Sequence, residues 1–245
     1  MAEIEFIIRR HGEKSKGGEL IDGRRLTGPN WLSPRGWQQA EAAGRLYERF
    51  LPTADPATLK KHGLKPEPGK KVILFRRTSP FLRTKQTALG IRRGAGSAVI
   101  HTPPQQDEAF GFVKMSDRKK WEASGAKHGE EGHTRLYLEG ATDLGAEENW
   151  QQVGQRYFNG VRGIYRELSE QLKQPNVPKA DKYVVDITTH GPGVGALASL
   201  LLGEKTRKTV RHHPEKFTEG VRIVIKDGKA KAIFRNRSRD ITKLL

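Results

Sequence analysis

Apolar residues recur along this chain in short blocks, and their period alternates between continuous and helical. Residues 4–8, Ile-Glu-Phe-Ile-Ile, read as a strand buried on both faces. A Gly- and charge-rich loop is expected over 13–31. Ser33-Pro34 then opens a helix with Pro near its first position, running through Ala40, Ala43, Leu46 and Phe50. Residues 52–71 hold Pro, Gly and Lys and read as a surface insertion. A second strand is expected at 72–75, a helix from Ser79-Pro80 through Leu82, Ala88 and Ile91, and a third strand at 98–100. Residues 105–149 are the least regular and suggest a cap of short helices and loops. Helical spacing returns over 150–172 at Val153, Tyr157, Val161, Ile164 and Leu168. A fourth strand is expected at 183–187, an apolar helix at 194–202 ended by Gly203, and a closing hairpin of 221–225 and 230–234 around Asp227-Gly228. Strands alternating with helices imply an α/β domain with a largely parallel sheet.

Length and composition add limits. A chain of 245 residues can bury one sizeable core, so a single domain over 1–245 is expected, with insertions at 52–71 and 112–149. The absence of Cys removes disulfide and thiolate chemistry. No stretch has the apolar length to span a bilayer, and the first residues lack a basic segment followed by a long apolar one. A cytoplasmic protein without membrane contact is the resulting expectation. Lys+Arg number 45 against 28 Asp+Glu, a net charge of +17. Residues 205–243 carry 13 basic and 4 acidic residues, a solvated basic surface and a candidate contact for polyanions. Few aromatics interleave these cations, which argues against a nucleic-acid module.

Chemistry concentrates where the apolar runs stop. The first run ends in Arg10-His11-Gly12, the second in Arg76-Arg77-Thr78-Ser79 with Arg83 beyond, and the fourth in Thr188-Thr189-His190-Gly191. Parallel strands bring such ends to one edge of a sheet, where ligands collect. Arginine offers a planar fork to phosphate oxygens, histidine can carry a proton or act as a nucleophile, and glycine lets backbone approach an anion.

These residues, in this order, resemble the histidine phosphatase superfamily, also called phosphoglycerate mutase-like. Arg10-His11-Gly12-Glu13 is similar to its first-strand signature. The stretch from Leu32-Ser33 through Gly36 to Gln39-Ala40 is similar to its first helix start. Ser79, Arg83, Thr87 and Ala88 are spaced as in its second segment, and Thr189-His190-Gly191 matches its second histidine. Glu147-Glu148 with Val153 and Arg156 resembles the stretch before the family's long helix, with Ser and Gly displaced. The resemblance implies a three-layer α/β/α fold with a mostly parallel central sheet and a cap insertion. It implies phosphomonoester hydrolysis with no cofactor. His11 would attack phosphorus, while Arg10, Arg83 and His190 hold the phosphoryl oxygens. Gly12, Glu13, Ser15 and Gly191 would complete the phosphate site. The family places an acid four residues before a Gly; counting back from Gly111 gives Asp107, with the adjacent Glu108 as the alternative. A phosphoglycerate mutase and a non-catalytic phosphate- or polyanion-binding module are the other readings.

Other features read as structure. Gly191-Pro192-Gly193-Val194-Gly195 lacks the glycine spacing of a dinucleotide loop and reads as a helix start. The run from His128 to His133 lacks the spacing of a zinc helix and reads as a glycine-rich loop. His212-His213 reads as solvated, and Trp121, Trp150 and Tyr157 as packing residues. The positive charge suggests acidic, multiply phosphorylated substrates, a phosphorylated small molecule in any case. Oligomeric state is not encoded in these patterns.

Overall fold

In a computed structural model, residues 2–16, 20–21, 24–25, 30–61, 64–212 and 216–245 are described. The strands are β1 (Glu3–Arg10), β2 (Leu20–Ile21), β3 (Arg24–Arg25), β4 (Val72–Thr78), β5 (Ile100–His101), β6 (Gln105–Gln106), β7 (Lys182–Thr189), β8 (Gly220–Lys226), β9 (Lys229–Phe234) and β10 (Arg237–Asp240). The helices are α1 (Pro34–Arg45), α2 (Pro56–Lys61), α3 (Leu82–Ala95), α4 (Arg118–Glu139), α5 (Trp150–Gln171), α6 (Gly191–Leu202) and α7 (Glu204–His212).

The main sheet runs β10-β9-β8-β1-β7-β4-β5, with β6 also pairing β4. From β1 to β5 every pairing is parallel, and β8, β9 and β10 extend the sheet antiparallel. Strand β1 is buried from Ile4 to Arg10, and β7 along its whole length, as centrally placed parallel strands require. One face packs Phe6, Ile8, Val185 and Ile187 against Tyr157 and Val161 of α5 and Leu197 of α6. The other packs Ile7, Leu74 and Val184 against Ala43 of α1 and Ile91 of α3. The result is the expected α/β/α layering.

Local chemistry explains most boundaries. Ser33 caps α1 by accepting from the Gly36 N–H at 3.0 Å, with Pro34 as the first helical residue. Asn149 and Gln152 form a reciprocal capping box at the start of α5. The Asp227-Gly228 turn has φ of 48° and 73°, the mirror-image turn that matches strand twist.

Two expectations are corrected. The third strand is a two-residue edge at Ile100–His101, because Gly96–Ala98 winds into a 3₁₀ turn. The second helix begins at Leu82 after Phe81, since Pro80 lies outside it. The cap of short helices expected over 105–149 is present, with α4 divided into two short helices at Gly129. Its polar sequence hides the helix: Trp121, His133, Thr134, Tyr137 and Leu138 are buried, while a kink at Gly129 (φ 69°, ψ 168°) breaks the periodicity.

Candidate active site

Strand pairing assembles the site. Arg10 is opposite Thr189 in the β1–β7 register, so the next residue of each strand emerges at the same edge. The His11 N–H donates to the Thr189 carbonyl at 2.9 Å, and the rings of His11 and His190 lie 5.4 Å apart, edge to face. Thr78 of β4 is opposite Thr188, and the Ser79 N–H donates to the Thr188 carbonyl at 3.1 Å. The first turn of α3 then delivers Arg83.

Hydrogen bonds fix both tautomers. His11 Nδ1 lies 2.6 Å from the Gly12 carbonyl oxygen, which can only accept, so the ring proton sits on Nδ1. His11 Nε2 therefore presents a lone pair, met at 3.0 Å by the Arg83 Nε–H. A second Arg83 nitrogen lies 3.3 Å from His190 Nδ1, which accepts, leaving the Nε2–H of His190 to donate to Ser79 Oγ at 2.9 Å. Burial, then Arg83 and Arg10, hold His11 well below the ordinary histidine range; burial, then His11 and Arg83, do the same to His190. Both rings are neutral at physiological pH. Burial, followed by Arg10, pushes Arg83 down to about 10, against an opposing pull from Glu130, so it stays charged.

The remaining motif residues hold this edge in place. The Gly12 N–H donates to Thr87 Oγ1 at 3.0 Å, and the Glu13 N–H donates to Gln39 Oε1 at 2.8 Å. Gly12 and Gly36 press together: a Cβ on Gly12 would lie 2.4 Å from the Gly36 carbonyl oxygen. Ser33 Oγ donates to the Glu13 carboxylate at 3.0 Å. Buried Ser15 donates its N–H to the Trp31 carbonyl at 2.8 Å. Gly12, Glu13 and Ser15 thus shape the loop, and of the four residues expected to complete the phosphate site only Gly191, first residue of α6, lines the cavity.

That cavity, about 360 Å³, opens between this edge and α4. His11, Arg83, His190 and Pro192 line one side; Phe112, Trp121, Glu122, Glu130 and His133 line the other. Arg10 stacks its guanidinium 4.2 Å over the Phe217 ring and pairs with Glu130, whose second oxygen is 3.7 Å from Lys14 Nζ. Asp107 and Glu108 sit on the same sheet edge but outside this lining. The Asp107 N–H donates to the Thr78 carbonyl, and its carboxylate accepts from the Ala109 N–H to cap a 3₁₀ turn. Glu108 is exposed, 3.2 Å from Gln106 Nε2.

Behind the cavity, Arg156 grips Glu148 and the carbonyls of Ala109 and Phe112, and so positions the Phe112 ring. Tyr157 joins the Gly111 carbonyl to Thr189 Oγ1. Glu148, not Glu147, forms this ion pair with Arg156. Sequence reading did not reach Glu122, Glu130 or His133 as site residues. The available signal was the helical spacing of His133, Tyr137 and of Thr134, Leu138, masked by glycine. The glycine-rich loop expected over 128–133 is instead helix interrupted at Gly129, with His128 exposed and His133 buried. His213 and the side chain of His212 lie outside the described residues. Among them, no group of three His, Cys, Asp or Glu is arranged to hold a metal, and no helix is long and apolar enough to cross a membrane.

No family model and no curated protein matches the sequence. Solved structures do match in fold. A protein described as mycobacterial hydrolase 1 superposes with a TM-score of 0.55 at 15% identity, over 97% of this chain and 96% of that one. A phosphoglycerate mutase from Bacillus anthracis str. Sterne gives 0.54 at 13% identity, over 94% and 91%. A mycobacterial glucosyl-3-phosphoglycerate phosphatase gives 0.52 at 15% identity, over 91% and 90%. The chain has the phosphoglycerate mutase-like fold over nearly its whole length.

Proposed function

We propose that this protein hydrolyses phosphomonoesters through a phosphohistidine on His11. The observation that carries the reading is the fixed His11 tautomer: Nδ1–H is held by the Gly12 carbonyl, and Nε2 is aimed with its lone pair between the cationic groups of the cavity. Phosphoryl chemistry on the same fold, in a phosphatase and a mutase, supports it.

Nε2 of His11 attacks phosphorus, forming an N–P bond as the ester P–O bond breaks. Arg83 turns from the two imidazoles to the equatorial oxygens, with Arg10, His190 and the first N–H groups of α6 completing the cradle. The leaving oxygen takes a proton from Asp107, or Glu108, on the adjoining edge. Water then attacks the phosphoenzyme, the same carboxylate accepts its proton, and phosphate leaves with His11 restored. Hydrolysis is favoured over mutase chemistry because the wall facing His11 is aromatic and acidic. A bisphosphate would need further cations there beyond Lys14.

The test is p-nitrophenyl phosphate hydrolysis without added metal, from acidic to neutral pH. Wild type should turn over and form an acid-labile, base-stable phosphoenzyme, and His11→Ala should show neither. Activity retained in that variant would remove the reading.

A further inference from the structure

We propose that the α4 side of this cavity is a binding site for a flat, apolar leaving group bearing one neutral hydrogen-bonding substituent, such as a substituted phenol, and that His133 recognises that substituent. The inference rests on the phosphomonoesterase reading and names its substrate class.

The cavity, about 360 Å³, has far more room than a phosphoryl group fills. An unbroken row of rings leads away from the phosphate end. Phe112 stands edge-on to His190 with centroids 5.0 Å apart, Trp121 edge-on to Phe112 at 5.7 Å, and His133 against Trp121 at 4.1 Å. Such walls favour a flat apolar body. At the far end of the row, His133 is 4% exposed, and neither ring nitrogen has a hydrogen-bond partner among the described residues. A buried imidazole left without partners costs free energy that a ligand group can recover. Burial also holds His133 below the ordinary histidine range, so it is a neutral donor and acceptor.

Access to it depends on glycine. A Cβ built on Gly125, which also lines the cavity, would lie 3.4 Å from His133 Nδ1, in the space a ligand atom needs. The charges argue the same way. Glu122 and Glu130 flank the rings, so a second phosphate on the leaving group would meet carboxylates. This reverses the expectation from net charge: the positive excess of the whole chain is not the charge of the wall that meets the leaving group.

The experiment measures kcat/KM for phenyl phosphate, its three hydroxyphenyl analogues and 3-phosphoglycerate. At least one hydroxyphenyl ester should exceed phenyl phosphate by roughly tenfold, the worth of one neutral hydrogen bond, and all aryl esters should exceed 3-phosphoglycerate. His133→Phe should erase the hydroxyl advantage, bringing the hydroxyphenyl esters down to the level of phenyl phosphate. Gly125→Ala, which favours helix, should do the same by filling the space beside Nδ1. Equal loss on every ester, or 3-phosphoglycerate as the best substrate, overturns the inference while the phosphatase reading stands. Absence of turnover with every ester removes both.

Discussion

Along β1, Glu5 is enclosed by Arg49, Lys182 and Arg222 at 2.7 Å each, whereas just past the end of the same strand His11 and Arg83 line an open cavity, with Arg10 beside them. In the first region charge is matched group by group. Lys182 also reaches Glu3 and Glu67, and on the same face of β1 Arg9 pairs with Asp186, which accepts from the Tyr47 hydroxyl. In the second, Arg10, Arg83 and Lys14 face Glu130, a carboxylate that reaches them from α4 beside the kink at Gly129. The enclosed network stabilises the fold. The open corner holds cations in a partly desolvated place, where the proposed phosphoryl substrate would supply further counter-charge. Cavity size does not make this distinction: a hollow of about 400 Å³ lies against Arg9, Arg49 and Arg222, where internal carboxylates already balance the charges.

Breaking each region separately sharpens the contrast. Glu5→Ala leaves three cations without their shared carboxylate and should cost about 3–5 kcal/mol of stability, read from urea unfolding. A loss under 1 kcal/mol would show that the network is dispensable. Arg83→Ala should reverse the pattern: near-wild-type stability, but kcat lower by about 10²–10³-fold, as for removal of one preorganised donor to a transition-state oxygen. A matching loss of stability would place Arg83 in the scaffold instead.

Acid should attack the enclosed region first. Burial raises the Glu5 carboxyl, but Arg49, Arg222 and Lys182 outweigh it and bring it from 4.5 to about 2. A depressed folded pKa gives stability that is full above pH 4.5 and is lost as pH falls toward 2, about 3 kcal/mol in total. Asp186 moves the opposite way, raised by burial, and offsets part of this loss. Glu5→Gln should flatten the acid limb of the stability curve between those pH values; an unchanged limb would assign it to other groups.

The smallest expected effect tests the open corner. Glu130 pairs with Arg10, which the proposed mechanism assigns to a phosphoryl oxygen, and its side chain is 46% exposed. Glu130→Gln should tighten inorganic phosphate binding by up to about fivefold, less at high salt, as for a partly exposed ion pair. Weaker phosphate binding would make Glu130 a support of the site rather than a competitor for it.

Some cations of the basic tail are also paired within the protein. Arg222 is spent on Glu5, Arg235 on Glu219 and Arg207 on Glu204, so formal charge overstates what that surface offers a polyanion. Counting charges along a chain cannot reveal this, because the partners of Arg222 and Arg235 come from other elements.

The sequence by itself determined β1, β4, β7, β8 and β9, most helices and the meeting of Arg10, His11, Arg83 and His190. Local periodicity fixes each element, and parallel pairing carries the strand ends to one edge whatever the connections between them. It also supplied the roles of Ser33, Gln39 and Thr87 only as a pattern; the bonds of Thr87 and Gln39 to the N–H groups of Gly12 and Glu13, and of Ser33 to the Glu13 carboxylate, became visible in the packed molecule. Tertiary structure alone decided that α4 closes over the site, that Glu130 reaches Arg10, and that His133 sits behind Trp121 with no hydrogen-bond partner among the described residues. Those outcomes depend on how a polar, glycine-interrupted helix packs against residues distant in sequence, and no local period records that packing.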